Sequence, residues 1–254
     1  EQEYAEEHDL PVQSGNSGVW SIDTNLWSRS VEGGQLEDPA HVPPEDIYEW
    51  TDDPANATET ELVEITFEDG YPVALDGEEL SPTELIRTLN EQAGKHGVGR
   101  TDMMEDRMLG LKVRENYEHP AATTLLTAHE ALEQLVLTKD ERDFKRSIDN
   151  EWAQNGYEGR VDHPLVGALE GFIDETQERV TGTVTIKFQG GQARPVARES
   201  EYAAYSEDAA SFNTSGVGDI TQKDATGVAK YHGFQSRLAN AATAAAKAKK
   251  NDSE

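Results

Sequence analysis

The stretch ELVEITFEDGYPVALDG, residues 61–77, sets the fold class of this 254-residue chain. Val63, Ile65 and Phe67 alternate with polar residues, and such alternation is typical of a half-buried β-strand. Asp69-Gly70 predicts a tight turn, so YPVAL is expected to pair with the first strand as an antiparallel hairpin. This stretch therefore favours an antiparallel arrangement over a doubly wound parallel sheet.

Helix signals follow the hairpin. Ser81 and Glu84 predict a capping box, with Pro82 at the first helical position. Thr138 and Glu141 form a second box of the same kind. The other predicted helices lie at 121–137, at 164–179 with Leu169, Phe172 and Ile173 buried, and from Ala225 onward as one extended C-terminal helix.

Strands return after the middle helices, because VTGTVTIKFQGGQARPVAR predicts two strands around Gly190-Gly191. Hairpins and helices in mixed order predict an α+β fold, with a mixed or antiparallel sheet packed with helices and an extended C-terminal helix. Residues 1–9 look helical. Residues 12–60 show little periodicity, and we expect a long irregular segment that is functional or covers a partner.

Charge is the strongest compositional feature. The chain has 50 acidic and 22 basic residues, for a formal net charge of −28. Nucleic acids and anionic lipids are disfavoured as partners, because their phosphates require Lys and Arg. The acids are scattered over every segment, which favours the surface of a protein from a salt-in halophile, in which acidic excess maintains solubility. An acidic partner-binding surface is the alternative, although such tails tend to run in blocks.

Several site classes are disfavoured by the sequence. There is no cysteine, so disulfides and Cys-based zinc sites are excluded. The seven histidines show no ligand spacing, and we predict no metal site. No apolar run is long enough to predict a membrane span, and the acidic N-terminus does not resemble a signal peptide. We expect a cytoplasmic protein.

Polar residues cluster first at WSIDTNLWSRSVEGGQLEDP, residues 20–39. Ser21 and Ser30 are expected on a loop flanked by Trp20 and Trp27, where hydroxyls could recognise a small polar substrate. The alternative is that both serines are capping or turn residues.

Two further clusters follow. In AGKHGVGRTDMMEDR, residues 93–107, the glycines allow close backbone approach, and the basic side chains could meet a carboxylate or phosphate. A tight turn between helix and strand explains the same residues.

In RENYE, residues 114–118, Tyr117 lies beside charged residues, either on an amphipathic surface strand or as a ligand-facing hydroxyl. The residues alone thus predict an α+β domain with a polar pocket.

The same clusters resemble the argininosuccinate synthase family. SIDTNLWSRSVEGGQLEDP followed by PPEDIYEWT resembles the family's segment after its nucleotide domain. LNEQAGKHGVGRTDMMEDRMLGLKVRENYE resembles the helix, glycine turn and strand that build its citrulline pocket. FIDETQERVTGTVTIKF, ESEYAAYSEDAASF and DATGVAKYHGFQSRL follow in the family's order. The resemblance covers nearly the whole chain and weakens after about residue 238.

This resemblance implies a carbon–nitrogen ligase that joins L-citrulline to L-aspartate and cleaves ATP to AMP and pyrophosphate. The family's motifs place two serines, a glutamate and a tyrosine against citrulline. By motif these fall on Ser21, Ser30, Glu105 and Tyr117. No catalytic residue is assigned. The sequence departs from the family at Asp106, at Val113 and in the turn at 119–123, and none of these changes removes the four residues.

The resemblance also predicts the domain organisation. The family's ATP site and aspartate-binding residues lie in an N-terminal half with an S-G-G-L-D-T-S loop, which this sequence does not contain. We expect residues 1–11 to end that nucleotide-binding domain, 12–222 to form the citrulline-binding synthetase domain, and 223–254 to form a multimerisation helix and tail. ATP, with Mg²⁺, is then a co-substrate bound by the absent half.

The expected assembly is a homotetramer that also engages its own nucleotide-binding domain, and the chain alone is expected to be inactive. The alternative function is a non-catalytic oligomerisation or small-molecule-binding module derived from the family.

Overall fold

The computed structural model describes residues 4, 7–9, 20–210, 216–217 and 220–251. The described residues form two compact units, one ending at Ala204 and the other beginning at Tyr205. The first unit contains two antiparallel sheets packed with helices, so the predicted α+β class is confirmed. Most of the predicted helix at 1–9 and all of 12–19 lie outside the described residues.

The larger sheet has five strands in the order β5-β4-β3-β8-β9. Both predicted hairpins belong to it, and they join where β3 pairs with β8. Residues 63, 65 and 67 are completely or almost completely buried, as the alternation predicted. Its strands are β3 (Glu61–Glu68), β4 (Tyr71–Leu75), β5 (Glu78–Glu79), β8 (Gly182–Gln189) and β9 (Gln192–Glu199).

Four helices accompany this sheet in the first unit: α1 (Pro82–Lys95), α2 (Pro120–Val136), α3 (Lys139–Tyr157) and α4 (Pro164–Gln177). Both predicted capping boxes are present, since Ser81 and Thr138 each exchange hydrogen bonds with the residue three positions on. The main core joins β3 and β8 to α1 and α2 through buried side chains such as Leu85, Leu89 and Leu132. Burial of this apolar surface is the main stabilising contribution to the fold.

The smaller sheet has four strands in the order β1-β2-β7-β6: β1 (Ser21–Thr24), β2 (Arg29–Glu32), β6 (Arg100–Asp106) and β7 (Lys112–Glu118). The prediction that 12–60 is irregular was therefore wrong for 21–32, which form a hairpin. Its turn is stabilised by Asn25, whose side-chain oxygen accepts hydrogen bonds from the N–H groups of Trp27 and Ser28. This Asx turn connects β1 to β2 without a glycine.

Residues 34–51 cover one face of the smaller sheet with two short 3₁₀ helices, Gly34–Glu37 and Glu45–Ile47. Val31, Leu36 and Ile47 form a small buried cluster there. This segment is irregular, as predicted, but it packs on the chain's own sheet.

Glu118 anchors this covering segment. Its side chain is 1% exposed, and its Oε1 accepts from the N–H groups of Trp50 and Thr51 at 2.8 and 2.9 Å. Its Oε2 accepts from the Glu49 N–H at 3.0 Å and from the Arg29 guanidinium at 2.8 Å. One carboxylate thereby joins β7, β2 and the segment 49–51, and its charge is both paired and hydrogen-bonded.

Two predictions about the helices need correction. Phe172 and Ile173 on α4 are only half-buried, because Ile173 borders an open groove and Phe172 packs edge-to-face on the exposed Phe144. Leu169 alone of the three is buried. The predicted C-terminal helix is present, but it is bent. It is divided into α6 (Gln222–Tyr231) and α7 (Phe234–Asn251) at Gly233, whose φ of +69° is a left-handed conformation that ends a helix.

The second unit also contains α5 (Glu207–Ala210) and the short strands β10 (Gly216–Val217) and β11 (Ile220–Thr221), which pair with each other. None of the described helices combines the length and apolarity that crossing a membrane requires.

Glu118→Ala is expected to lower the free energy of unfolding by about 3–5 kcal/mol. It removes the buried ion partner of Arg29, which keeps only the exposed Glu49, and it leaves the N–H groups of residues 49–51 without their acceptor. Urea unfolding in molar KCl, followed by tryptophan fluorescence, measures the change. Glu79→Ala on the exposed strand β5 is the control and should change stability by less than about 0.5 kcal/mol. Equal effects of the two variants would contradict the role given to Glu118.

Candidate functional site

The predicted site residues lie on the smaller sheet, not on a loop. Ser21 is on β1, Ser30 on β2, Glu105 on β6 and Tyr117 on β7. The expectation that the two serines lie on a loop was therefore wrong, because the Asn25 turn folds their segment into a hairpin.

Strand register determines which of these residues meet. Ser30 lies directly opposite Tyr117, and Tyr117 lies directly opposite Thr101 on β6. Residues directly opposite on neighbouring strands point to the same face, as do residues two apart on one strand. Glu105 therefore shares a face with Thr101, Ser30 and Tyr117. This is the face that lies away from the segment 34–51.

Glu105 and Tyr117 are in direct contact. The Tyr117 hydroxyl donates to Oε2 of Glu105 at 2.8 Å. Burial, followed by this hydrogen bond and the nearby carboxylate charges, raises the pKa of Tyr117 well above its ordinary value. The phenol therefore stays protonated and acts as a hydrogen-bond donor.

Ser21 is less closely associated. It pairs in register with Glu32 at the end of the β1–β2 hairpin, and its strand is exposed. It also lines a separate depression of about 440 Å³ with Glu32 and Lys112, which none of Ser30, Glu105 and Tyr117 lines. The structure thus brings three of the four predicted residues together and leaves Ser21 at the sheet edge.

Arg107 gathers further carboxylates beside this pair. Its guanidinium lies 2.5 Å from Glu115, 3.5 Å from Glu32 and 3.7 Å from Glu105. Three carboxylates around one guanidinium leave an excess of negative charge, which favours a bound cation such as an ammonium group.

Glu115 is the most perturbed carboxyl of the cluster. It is 4% exposed, and its Oε2 has no hydrogen-bond partner among the described residues. Burial, followed by the hydrogen bond and charge of Glu32, raises the pKa of Glu115 to about 7. Glu115 therefore takes up a proton near neutral pH.

Sequence reasoning missed Tyr157, the last residue of α3. Its hydroxyl lies 2.7 Å from Oε1 of Glu105, although 52 residues separate the two in the chain. Glu32 was also missed. Tyr157 belongs to none of the quoted clusters, and nothing in the cluster at 20–39 singles out Glu32, so only the tertiary fold identifies them.

The glycine-rich stretch at 93–107 is mainly structural. A Cβ on Gly94 would lie 2.1 Å from the Trp50 carbonyl oxygen, and one on Gly97 would lie 2.8 Å from that of Asp52. The glycines therefore allow two backbones to pack closely, which agrees with the turn alternative. Arg100 bonds Thr51 and Glu45, and His96 bonds Glu61, so neither is directed at the site.

The alternative that residues 114–118 form an amphipathic surface strand was wrong. Arg114, Glu115, Asn116 and Glu118 are each at least nine-tenths buried, because β7 is a central strand of its sheet. Among the described residues, no group of three or more His, Asp or Glu side chains could hold a metal ion.

These features define an α+β domain with a polar, carboxylate-rich sheet face. Residues 20–239 match the family model described as "Arginosuccinate synthase C-terminal domain". The chain belongs to the argininosuccinate synthase family.

Named relatives come from archaea, several of them halophilic. The chain is 78% identical over 243 residues to the argininosuccinate synthase of Haloquadratum walsbyi, an alignment that covers 96% of this chain and 61% of the relative. It is 72% identical over 241 residues to that of Natronomonas pharaonis, covering 94% and 60%. It is 56% identical over 237 residues to that of Methanosarcina acetivorans, covering 93% and 59%. The chain thus spans about three fifths of the length of these relatives.

Glu115→Gln tests the raised pKa of this carboxyl. An ordinary glutamate has a pKa of 4.5, and that of folded Glu115 is about 7. Between these values the folded state binds more protons than the unfolded state, so the free energy of unfolding falls as the pH rises. Glutamine abolishes this titration, and the variant should lose less stability than the wild type between about pH 5 and pH 8.

Thermal unfolding of both proteins in molar KCl across this pH range is the measurement. Glu79→Gln, on the exposed strand β5, should keep the wild-type pH dependence. The same slope in Glu115→Gln and in the wild type would refute the raised pKa.

Proposed function

We propose that this chain is the citrulline-binding and assembly part of an argininosuccinate synthase, which joins L-citrulline to L-aspartate with cleavage of ATP to AMP and pyrophosphate. The carrying observation is the hydrogen-bonded pair of Glu105 and Tyr117, with Ser30 opposite Tyr117 on one sheet face. Membership of the family over residues 20–239 supports the reaction type.

The polar face suits an amino-acid substrate. The Glu105 carboxylate can accept charge-assisted hydrogen bonds from an α-ammonium group. The hydroxyls of Ser21 and Ser30 can donate to a carboxylate or bind the ureido group, and the Tyr117 oxygen, whose proton is donated to Glu105, can accept from an N–H group of the substrate. Burial raises the pKa of Glu105, but hydrogen bonds from Tyr157 and Tyr117 and the charge of Arg107 outweigh it, so the pKa is lowered and the carboxylate is ionised.

In the proposed reaction the citrulline ureido oxygen attacks the α-phosphorus of ATP and releases pyrophosphate. Adenylation makes the ureido carbon electrophilic, and the aspartate amine then displaces AMP. We place the sites for ATP, Mg²⁺ and aspartate in a nucleotide-binding part of the longer protein. The role of this chain is to hold citrulline in an attacking position, and positioning of this kind can account for a large part of a rate enhancement.

The charge of the chain suits molar salt. The net charge is −28, and relatives at 78% and 72% identity come from halophilic archaea. In molar salt the Debye length falls to about 3 Å, so repulsion between scattered surface acids is screened. We propose that the protein works in a cytoplasm of this ionic strength.

A chimera tests the activity. The matching segment of the Haloquadratum walsbyi relative is replaced by this chain, and pyrophosphate release from ATP is assayed in molar KCl with citrulline and aspartate. The chimera should be active, and Glu105→Gln should raise the KM for citrulline by about 10- to 100-fold through loss of a charge-assisted hydrogen bond. Tyr117→Phe should raise it by about tenfold.

Matched controls are Glu79→Gln and Tyr202→Phe, which change the same groups at exposed positions away from the site and should leave the KM unchanged. A well-folded chimera without citrulline-dependent activity would instead favour the non-catalytic module. An unchanged KM in Glu105→Gln would remove this residue from the pocket.

Assembly is proposed to be a homotetramer formed through the second unit. Val228 and Tyr231 on α6 and Phe234 and Leu238 on α7 are 49–78% exposed. Exposed apolar side chains at helical spacing are typical of a protein interface. Phe234 and Leu238 lie one turn apart on α7, so they form a continuous stripe.

Phe234→Asp with Leu238→Asp is expected to reduce the tetramer to smaller species, because each carboxylate is desolvated in an apolar interface. Light scattering coupled to size-exclusion chromatography in molar KCl measures the mass of the 254-residue chain. Ser236→Asp with Asn240→Asp adds the same charge on the opposite side of α7 and should leave the tetramer intact. A monomeric wild type, or a variant of unchanged mass, would contradict the proposal.

A further inference from the structure

Two tyrosines from different elements hold the Glu105 carboxylate. Tyr117, on the neighbouring strand β7, donates to Oε2 at 2.8 Å. Tyr157, at the end of α3, donates to Oε1 at 2.7 Å. The Tyr157 hydroxyl also lies 3.2 Å from the Asp106 carbonyl, but a phenol has one proton, and the shorter contact with a charged acceptor is the stronger.

We propose that Tyr157 is a positioning residue, which fixes the Glu105 carboxylate in the orientation that accepts the α-ammonium group of the amino-acid substrate. This inference rests on the proposed function, because it concerns the same pocket. It assigns a role to a residue that no sequence motif identified and that belongs to a helix outside the sheet.

Both tyrosines orient the carboxylate without neutralising it. Phenols are neutral donors, so the negative charge of Glu105 remains available to a cationic ligand. Arg107 lies 3.7 Å from Glu105, beyond hydrogen-bond distance, and donates to Glu115 instead. Each carboxylate oxygen has two lone pairs, so each retains one for the ligand after accepting from a tyrosine.

The exposure of Tyr157 agrees with this role. The residue is 48% exposed, and its ring is therefore not a core element whose loss would collapse the fold. Its hydroxyl group forms the hydrogen bond that connects the end of α3 to Glu105. Replacement by phenylalanine retains the ring and removes this link alone.

The test uses the active chimera described above, with Tyr157→Phe. The KM for citrulline should rise by about tenfold while kcat stays within about twofold, because a ground-state binding contact is lost. Tyr202→Phe, at a similarly exposed position, should match the wild type. In the Glu105→Gln background, Tyr157→Phe should raise the KM for citrulline little further, because the effects of residues that act through one another are not additive.

The pH dependence provides a second readout. Tyr157 is one of the donors that lower the pKa of Glu105, so its loss should move the acidic rise of the citrulline KM to higher pH. An unchanged KM and pH profile in Tyr157→Phe would overturn the inference. Fully additive effects in the double variant would also overturn it.

A measurement on the 254-residue chain separates this inference from the proposed function. Carbon-13 NMR titration of the glutamate carboxyls, with the Glu105 signal identified by its absence in Glu105→Gln, should show a higher Glu105 pKa in Tyr157→Phe than in the wild type. If the chimera is inactive, the proposed function fails, and an unshifted Glu105 titration shows independently that the Tyr157 contact does not act on this carboxylate.

Discussion

The smaller sheet depends on one buried carboxylate. Glu118 accepts hydrogen bonds from three consecutive N–H groups, those of Glu49, Trp50 and Thr51, and from the Arg29 guanidinium. The three N–H groups come from a segment with little regular structure, and a buried N–H without a partner is costly. By satisfying them at one point, Glu118 permits an irregular segment with three prolines to cover a sheet face.

The same anchor determines which way the site residues point. Side chains alternate along a strand, so Glu118 and Asn116 face the covering segment while Tyr117 and Glu115 face the opposite side. A slip of one residue would exchange the two faces. Because Glu118 can be satisfied only on the covered face, it fixes the register of β7, and the register places Tyr117 opposite Ser30.

Local signals predicted most of the larger sheet and its helices, because hairpin turns and capping boxes are encoded within four to eight residues, as at Asp69-Gly70 and Ser81. The β1–β2 hairpin was not predicted, since its turn relies on the Asn25 side chain. The resemblance led to Glu105 and Tyr117, which the structure places in contact. Tyr157 could not be predicted, because its partner is 52 residues away and the contact depends on how α3 packs.

Acidic residues greatly outnumber basic residues in the chain. A local cluster of carboxylates can nevertheless be selective for a cationic ligand. Molar salt screens charges beyond about 3 Å, which removes the long-range field of the scattered acids. The contacts of Arg107 with Glu115 at 2.5 Å and of Tyr117 with Glu105 at 2.8 Å are shorter than that length and partly buried, so they are screened far less. On the proposed function, an ammonium group at high salt would be distinguished by direct hydrogen bonds rather than by net charge. The orientation of one carboxylate, held by neutral donors, would then matter more than the total number of acids.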